Sequence, residues 1–173
     1  MNKNIILAIV SFAAGALLMS FLISWLWNGQ TKGGEYFVLD AKNCTYHDIG
    51  NKQIKMVNGK TELDIAPGSA SKDVFQYFGN EVRGDFNNDG FQDVAFLLTE
   101  NSGGSGTFYY VAAALGSKDK CIGTNVVLLG DRIAPQTTEF TDGNIIVNYA
   151  TRAQGEPMTA QPSVGVSKYL KVS

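Results

Sequence analysis

The stretch GDFNNDGFQDVAFLL, residues 84–98, joins a polar loop directly to an uninterrupted apolar run. The run VAFLL at residues 94–98 lacks the spacing of an amphipathic helix and is typical of a buried β-strand. The residues before it are mainly Asp, Asn and Gly, which favour tight turns. The stretch therefore predicts a turn that enters a buried strand, and it points to a sheet protein.

Two dipeptides on either side of this stretch predict β-hairpins. Asn58-Gly59 and Asp142-Gly143 tolerate the positive φ angles of a type I′ turn, and alternating apolar residues flank both. Prolines are expected between strands, where a missing N–H donor does little damage. They are Pro67, Pro135, Pro157 and Pro162.

Segments rich in β-branched and aromatic residues predict the strands themselves. They are residues 53–57, 61–65, 74–82, 94–99, 108–115, 124–129, 137–141, 144–150 and 164–172. The sequence therefore predicts a mainly β domain of antiparallel sheet over residues 35–173, with at most a short helix around residues 69–78.

The polar half of residues 84–98 carries oxygen ligands at regular spacing. It reads DxNxDGxxD, and calcium takes about six to eight oxygen ligands from loops of this kind, with a carbonyl at the seventh position. The predicted Ca²⁺ ligands are the side chains of Asp85, Asn87, Asp89 and Asp93 and the carbonyl of Phe91. The alternative is an Asx-rich turn without metal. Calcium is favoured because carboxylates this close together repel one another without a cation.

Residues 84–98 resemble the calcium loops of FG-GAP and VCBS repeats, which lead into a strand with the same spacing. In those families the matching positions hold calcium and stabilise a β-hairpin or blade, so the resemblance implies this role for the loop. A single loop does not imply the propeller that several repeats form. Through GDFNNDGFQDVAFLL, GGSGTFYYVAAAL and LLGDRIAPQT, residues 35–173 also resemble a small domain, without known activity, of N-terminally anchored bacterial proteins.

Residues 5–27 contain no charged side chain. A helix of about 20 apolar residues spans a membrane, and Trp25 and Trp27 stand where indoles favour the interface. A cleaved signal peptide, the alternative, would have a shorter apolar region and a small-residue cleavage site. We expect residues 1–27 to be a single-pass transmembrane anchor in a bacterial cytoplasmic membrane and residues 28–34 to be a linker. A lysine near the N-terminus places the domain on the extracytoplasmic side.

Cys44 and Cys121 are the two cysteines of the chain. In an oxidising compartment they are candidates for a disulfide, which would close a loop of about 78 residues and stabilise the domain by about 4–5 kcal/mol. Two free buried thiols would suit a reducing compartment equally well. The sequence leaves both states open.

Composition and motifs limit the classes of function that we expect. A formal net charge of −2 and the absence of a basic cluster argue against a nucleic-acid partner. We expect a non-enzymatic calcium-binding β module, held at membrane lipid by its N-terminal helix, that binds or scaffolds a protein or glycan at the cell envelope. One alternative is an envelope glycan hydrolase with acids from Asp85, Asp93, Asp131 or Glu156. Another is an accessory subunit of a membrane complex, because small residues in the anchor favour helix contacts.

Overall fold

The computed structural model describes residues 38–48, 50 and 52–172. These residues form eleven β-strands, and a single 3₁₀ turn at Ala41–Asn43 precedes them. The strands are β1 (Thr45–His47), β2 (Gln53–Lys55), β3 (Lys60–Asp64), β4 (Lys72–Gly84), β5 (Asp93–Asn101), β6 (Phe108–Gly116), β7 (Cys121–Gly123), β8 (Val127–Asp131), β9 (Ala134–Thr141), β10 (Asn144–Thr151) and β11 (Val164–Leu170). The predicted mainly β class is confirmed.

The strands form three sheets, and every ladder between named strands is antiparallel. The largest sheet has six strands in the order β3-β4-β5-β6-β7, with β8 also paired to β6. A second sheet has the order β11-β10-β9, and β1 and β2 make a third sheet of two strands. The predicted antiparallel sheet is therefore confirmed as well.

Strand β5 lies between two hydrophobic cores. Val94, Phe96 and Leu98 belong to one core, whereas Ala95 and Leu97 belong to the other, and all five have 0% exposure. Successive side chains of a strand point to opposite faces, so a strand that is covered on both faces needs an apolar residue at every position. This explains why VAFLL has no polar alternation.

The two cores are built from different parts of the chain. The first includes Cys44, Tyr46 and Ile54, so the small sheet of β1 and β2 covers one face of the six-stranded sheet. The second includes Ile145 and Val147 of β10, so the three-stranded sheet covers the other face. Full burial of one such side chain contributes about 1.5–3 kcal/mol.

The two predicted turns have different outcomes. Asp142-Gly143 has φ angles of 52° and 70° and joins β9 to β10 in the predicted hairpin. Asn58-Gly59 also has positive φ angles, 51° and 81°, but this turn closes a single bridge between Val57 and Lys60. Beyond that bridge β2 pairs with β1 and β3 pairs with β4, so the longer hairpin predicted there was wrong.

The short helix that the sequence allowed around residues 69–78 does not form, because β4 begins at Lys72 and pairs with β3 on one side and β5 on the other. One expectation about the prolines was wrong. Pro135 lies inside β9 and not between strands. It is tolerated because β9 is the edge strand of its sheet, and the β9–β10 register shifts between Val147 and Tyr149 beside it.

Within the part of the chain that the structure describes, no helix is both long and apolar enough to cross a membrane. The predicted anchor at residues 1–27 and the linker at residues 28–34 lie outside that part.

Candidate functional site

Residues 85–92 connect β4 to β5, and Gly84 faces Asp93 in the ladder at the base of this hairpin. Asn88 and Gly90 have φ angles of 60° and 86°, in the left-handed region that asparagine and glycine enter most readily. Every side chain from residue 87 to residue 92 is exposed. The predicted metal loop is therefore a tight turn that projects into solvent from a buried base.

Three of the predicted ligands share one hydrogen-bond network. The Asp85 carboxylate accepts from the backbone N–H groups of Asp89 at 3.1 Å and Gly90 at 2.9 Å. Asn87 accepts from the Asp89 N–H at 3.1 Å and donates its Nδ2 to Asp89 Oδ2 at 2.9 Å. Asp89 Oδ1 accepts from the Phe91 N–H at 2.9 Å. These bonds fold the loop so that Asp85, Asn87 and Asp89 lie in one turn.

Asp93 lies beneath the loop with 0% exposure. Its Oδ2 accepts from the Phe86 N–H at 2.8 Å and its Oδ1 accepts from the Gly116 N–H at 2.9 Å. Burial raises the pKa of Asp93, the two backbone hydrogen bonds lower it, and the charges of Asp89 and Asp85 raise it further. Asp93 thus ties both ends of the loop to the last residue of β6.

Gly116 makes this arrangement possible, and no sequence motif points to it. A Cβ at Gly116 would lie 2.4 Å from the backbone oxygen of Gln92, well inside van der Waals contact. The position therefore needs glycine for its close approach to the loop. Asp93 and Gly116 are far apart in sequence, so no local motif links them.

The donor set fits calcium by type. Asp85, Asn87 and Asp89 offer side-chain oxygens, and a carboxylate oxygen that accepts one N–H bond keeps a second lone pair for a cation. The residues would bind Ca²⁺ through those oxygens and through the carbonyl of Phe91, with Asp93 below them. Among residues 38–48, 50 and 52–172, no group of three or more His, Cys, Asp or Glu side chains is gathered closely enough to hold a metal.

The two acids of the hydrolase alternative that lie outside this loop have partners of their own. Asp131 accepts from the Thr107 N–H at 2.9 Å and pairs with Arg132 at 2.9 Å. The hydrogen bond from Arg132 is the main reason that the pKa of Asp131 is lowered. Glu156 accepts from the Ala153 N–H at 2.8 Å. Asp131 therefore holds the end of β8 to the segment before β6, and Glu156 fixes its own loop.

Arg152 fastens two of these loops to each other. Its Nε donates to the carbonyl of Ala160 at 2.6 Å, and its Nη1 donates to the carbonyl of Arg132 at 3.1 Å. Backbone carbonyls leave no mark in a sequence, so the acceptors of this arginine could not be predicted.

Cys44 and Cys121 form a disulfide that joins the residue after the 3₁₀ turn to the start of β7. Their Cα atoms are 5.8 Å apart. The two segments pack so closely here that a Cβ at Gly123 would lie 2.1 Å from the carbonyl oxygen of Thr45.

Compared with known protein families, with curated proteins and with solved structures, the chain has no significant match. The likeness of residues 84–98 to FG-GAP and VCBS loops therefore stays a prediction from these residues.

Proposed function

We propose that this chain is a membrane-anchored, extracytoplasmic β module that binds calcium at residues 85–93 and has a binding or scaffolding role at the bacterial envelope. The observation that carries the proposal is the β4–β5 loop. It presents Asp85, Asn87 and Asp89 in one exposed turn on a base held by Asp93.

Calcium would act on this loop as a stabilising ligand. A cation between the carboxylates replaces their mutual repulsion by attraction, which favours the folded hairpin over the unfolded chain. A ligand that binds the folded state alone stabilises it by about 2.7 kcal/mol at 100 times its Kd. The stability of the domain should then depend on calcium concentration.

Thermal unfolding of residues 35–173, in calcium and in EGTA, tests the metal site. We expect calcium to raise the Tm of the wild type and of Asp119→Ala, which removes an exposed carboxylate outside the loop. Asp89→Ala should lose that rise, because it removes a ligand. An equal rise in Asp89→Ala and Asp119→Ala would refute calcium binding at this loop, as would no rise in the wild type.

The extracytoplasmic side is supported by the Cys44–Cys121 disulfide, because disulfides persist mainly in oxidising compartments. Alkylation of thiols in intact cells, before and after reduction, tests this part of the proposal. The chain should take up label only after reduction. Full labelling without reductant would contradict an oxidising location.

The hydrolase alternative receives no support from the contacts of its acids. Asp93 is fully buried and bound to two backbone N–H groups, Asp131 is paired with Arg132, and Glu156 accepts a bond within its own loop. The role as a subunit of a membrane complex depends on residues 1–27, outside the described part of the chain.

A further inference from the structure

Strand β11 forms one edge of the three-stranded sheet. It pairs with β10 over seven consecutive residues without a register shift, and no other strand in the described part of the chain pairs with it. The strand contains no proline, and Lys168 is its one charged residue. The backbone N–H and C=O groups along a free edge can pair with a further strand. The outer edge of β11 is therefore a regular template for one.

The other edges that the structure describes are less suited to a further strand. β3 has five residues, of which Lys60, Glu62 and Asp64 are charged. β9 contains Pro135 and has a register shift in its ladder with β10. β1, β2 and β7 have three residues each, and β8 has five. Charges, proline, bulges and short strands are the usual protection against edge pairing, and β11 has only a single charge of this kind.

The outer face of β11 carries a large exposed side chain and an empty position. Val166 and Leu170 pack against the second core. Successive side chains alternate between the two faces of a strand, so Gly165, Ser167 and Tyr169 belong to the outer face. Tyr169 is 65% exposed, and a Cβ at Gly165 would meet no atom within 4 Å. The large side chain and the empty position thus lie at equal distances on either side of Ser167.

We propose that β11 pairs with β11 of a second copy of the chain, antiparallel and with Ser167 on the two-fold axis. Tyr169 of each copy then lies opposite Gly165 of the other and covers the empty position. Aromatic side chains stabilise glycines of neighbouring strands in this way. On the opposite face Val164, which is 42% exposed, lies opposite Leu170 of the other copy. The two three-stranded sheets become one continuous antiparallel sheet.

The strand is self-complementary in this register, which favours a second copy over an unrelated strand. An axis at Ser167 pairs all seven residues and places Lys168 opposite Val166, so the two lysines do not face each other. An axis at Lys168 would place them directly opposite, which is destabilising. An axis at Val166 would place Ser167 opposite Gly165 and leave the empty position unfilled.

Oxidative cross-linking of the full-length chain in detergent solution tests the proposal. Cys44 and Cys121 are joined in a disulfide, so Ser167→Cys supplies a free thiol. Side chains directly opposite in an antiparallel pair have Cβ atoms about 4.5–5.5 Å apart, so copper phenanthroline should join two copies into a covalent dimer on non-reducing electrophoresis. Ser105→Cys, in the exposed turn between β5 and β6, is the control and should dimerise at least about tenfold more slowly.

Tyr169→Lys, added to the Ser167→Cys chain, tests the contact with Gly165. It removes two cross-strand contacts from the dimer and adds a charge to the edge, so cross-linking should slow at least about threefold. Val57→Lys changes an exposed apolar residue outside β11 in the same way and should leave the rate unchanged. Tyr169 is exposed, so its replacement does not endanger the fold.

Two results would overturn the proposal. One is a Ser167→Cys chain that cross-links no faster than Ser105→Cys, which would leave the edge to solvent or to an extended segment of another protein. The other is an equal effect of Tyr169→Lys and Val57→Lys on the rate, which would show that the two strands do not meet in this register.

Discussion

Replacing Asp93 by Asn tests the role of the buried carboxylate at the base of the β4–β5 loop. Each carboxylate oxygen accepts one backbone N–H, at 2.8 Å from Phe86 and at 2.9 Å from Gly116. An amide of the same shape keeps one acceptor and turns its NH₂ group toward the other N–H. One buried donor is then left without a partner, which costs about 1–3 kcal/mol.

The buried charge offsets part of this cost. Burial raises the pKa of Asp93, so its ionised form carries a desolvation penalty that the amide does not. We therefore expect Asp93→Asn to lower the free energy of unfolding by about 2 kcal/mol.

Urea unfolding of residues 35–173, followed by far-ultraviolet circular dichroism, measures this loss. EGTA in both samples removes any contribution from calcium. Asp119→Asn is the matched control because its side chain is exposed and lies outside the loop. If Asp93→Asn loses no more free energy of unfolding than the control does, the idea that Asp93 holds the base of the loop is refuted.

Three other changes test the rest of the fold. Burial raises the pKa of Tyr46 well above 10.0, so unfolding releases a proton in alkali; stability should fall as the pH rises above about 10, and in urea unfolding Tyr46→Phe should show a smaller fall. Replacing Cys44 and Cys121 by Ser should lower the free energy of unfolding by about 4–5 kcal/mol, and an unchanged urea midpoint would contradict a stabilising bond. Gly116→Ala forces a methyl group against a backbone oxygen and should cost about 1–3 kcal/mol, whereas Gly104→Ala, which has open space, should change the Tm little; equal effects would refute the close contact.

The parts of the fold that the sequence predicts are those that short segments determine. VAFLL at residues 94–98 predicts a buried strand because burial on both faces requires every residue to be apolar. Asn58-Gly59 and Asp142-Gly143 predict their turns because both dipeptides accept positive φ angles. Whether the segments on either side of a turn pair with each other depends on strands that are distant in sequence. Asp142-Gly143 therefore joins a full hairpin, whereas Asn58-Gly59, with the same φ preference, closes a single bridge.

The candidate site also has one part that the sequence predicts and another that it does not. Asp85, Asn87 and Asp89 lie within one turn, and their spacing alone shows that they belong together. The contact of Asp93 with Gly116 crosses from β5 to β6, and its partner is a backbone N–H that any residue except proline would supply. The sequence therefore predicts which polar side chains the loop brings together but does not reveal what holds its base.

The disulfide also determines how the domain would carry mechanical load. A pull on the chain from its N-terminal side reaches Cys44 before β1, the first strand that the structure describes, and the covalent bond passes the force directly to Cys121 at the start of β7. The intervening segment, which includes the β4–β5 loop, lies outside this force path. Tension between the N-terminal side and the C-terminal side of the domain would therefore bypass the segment between the two cysteines and leave the loop unstretched.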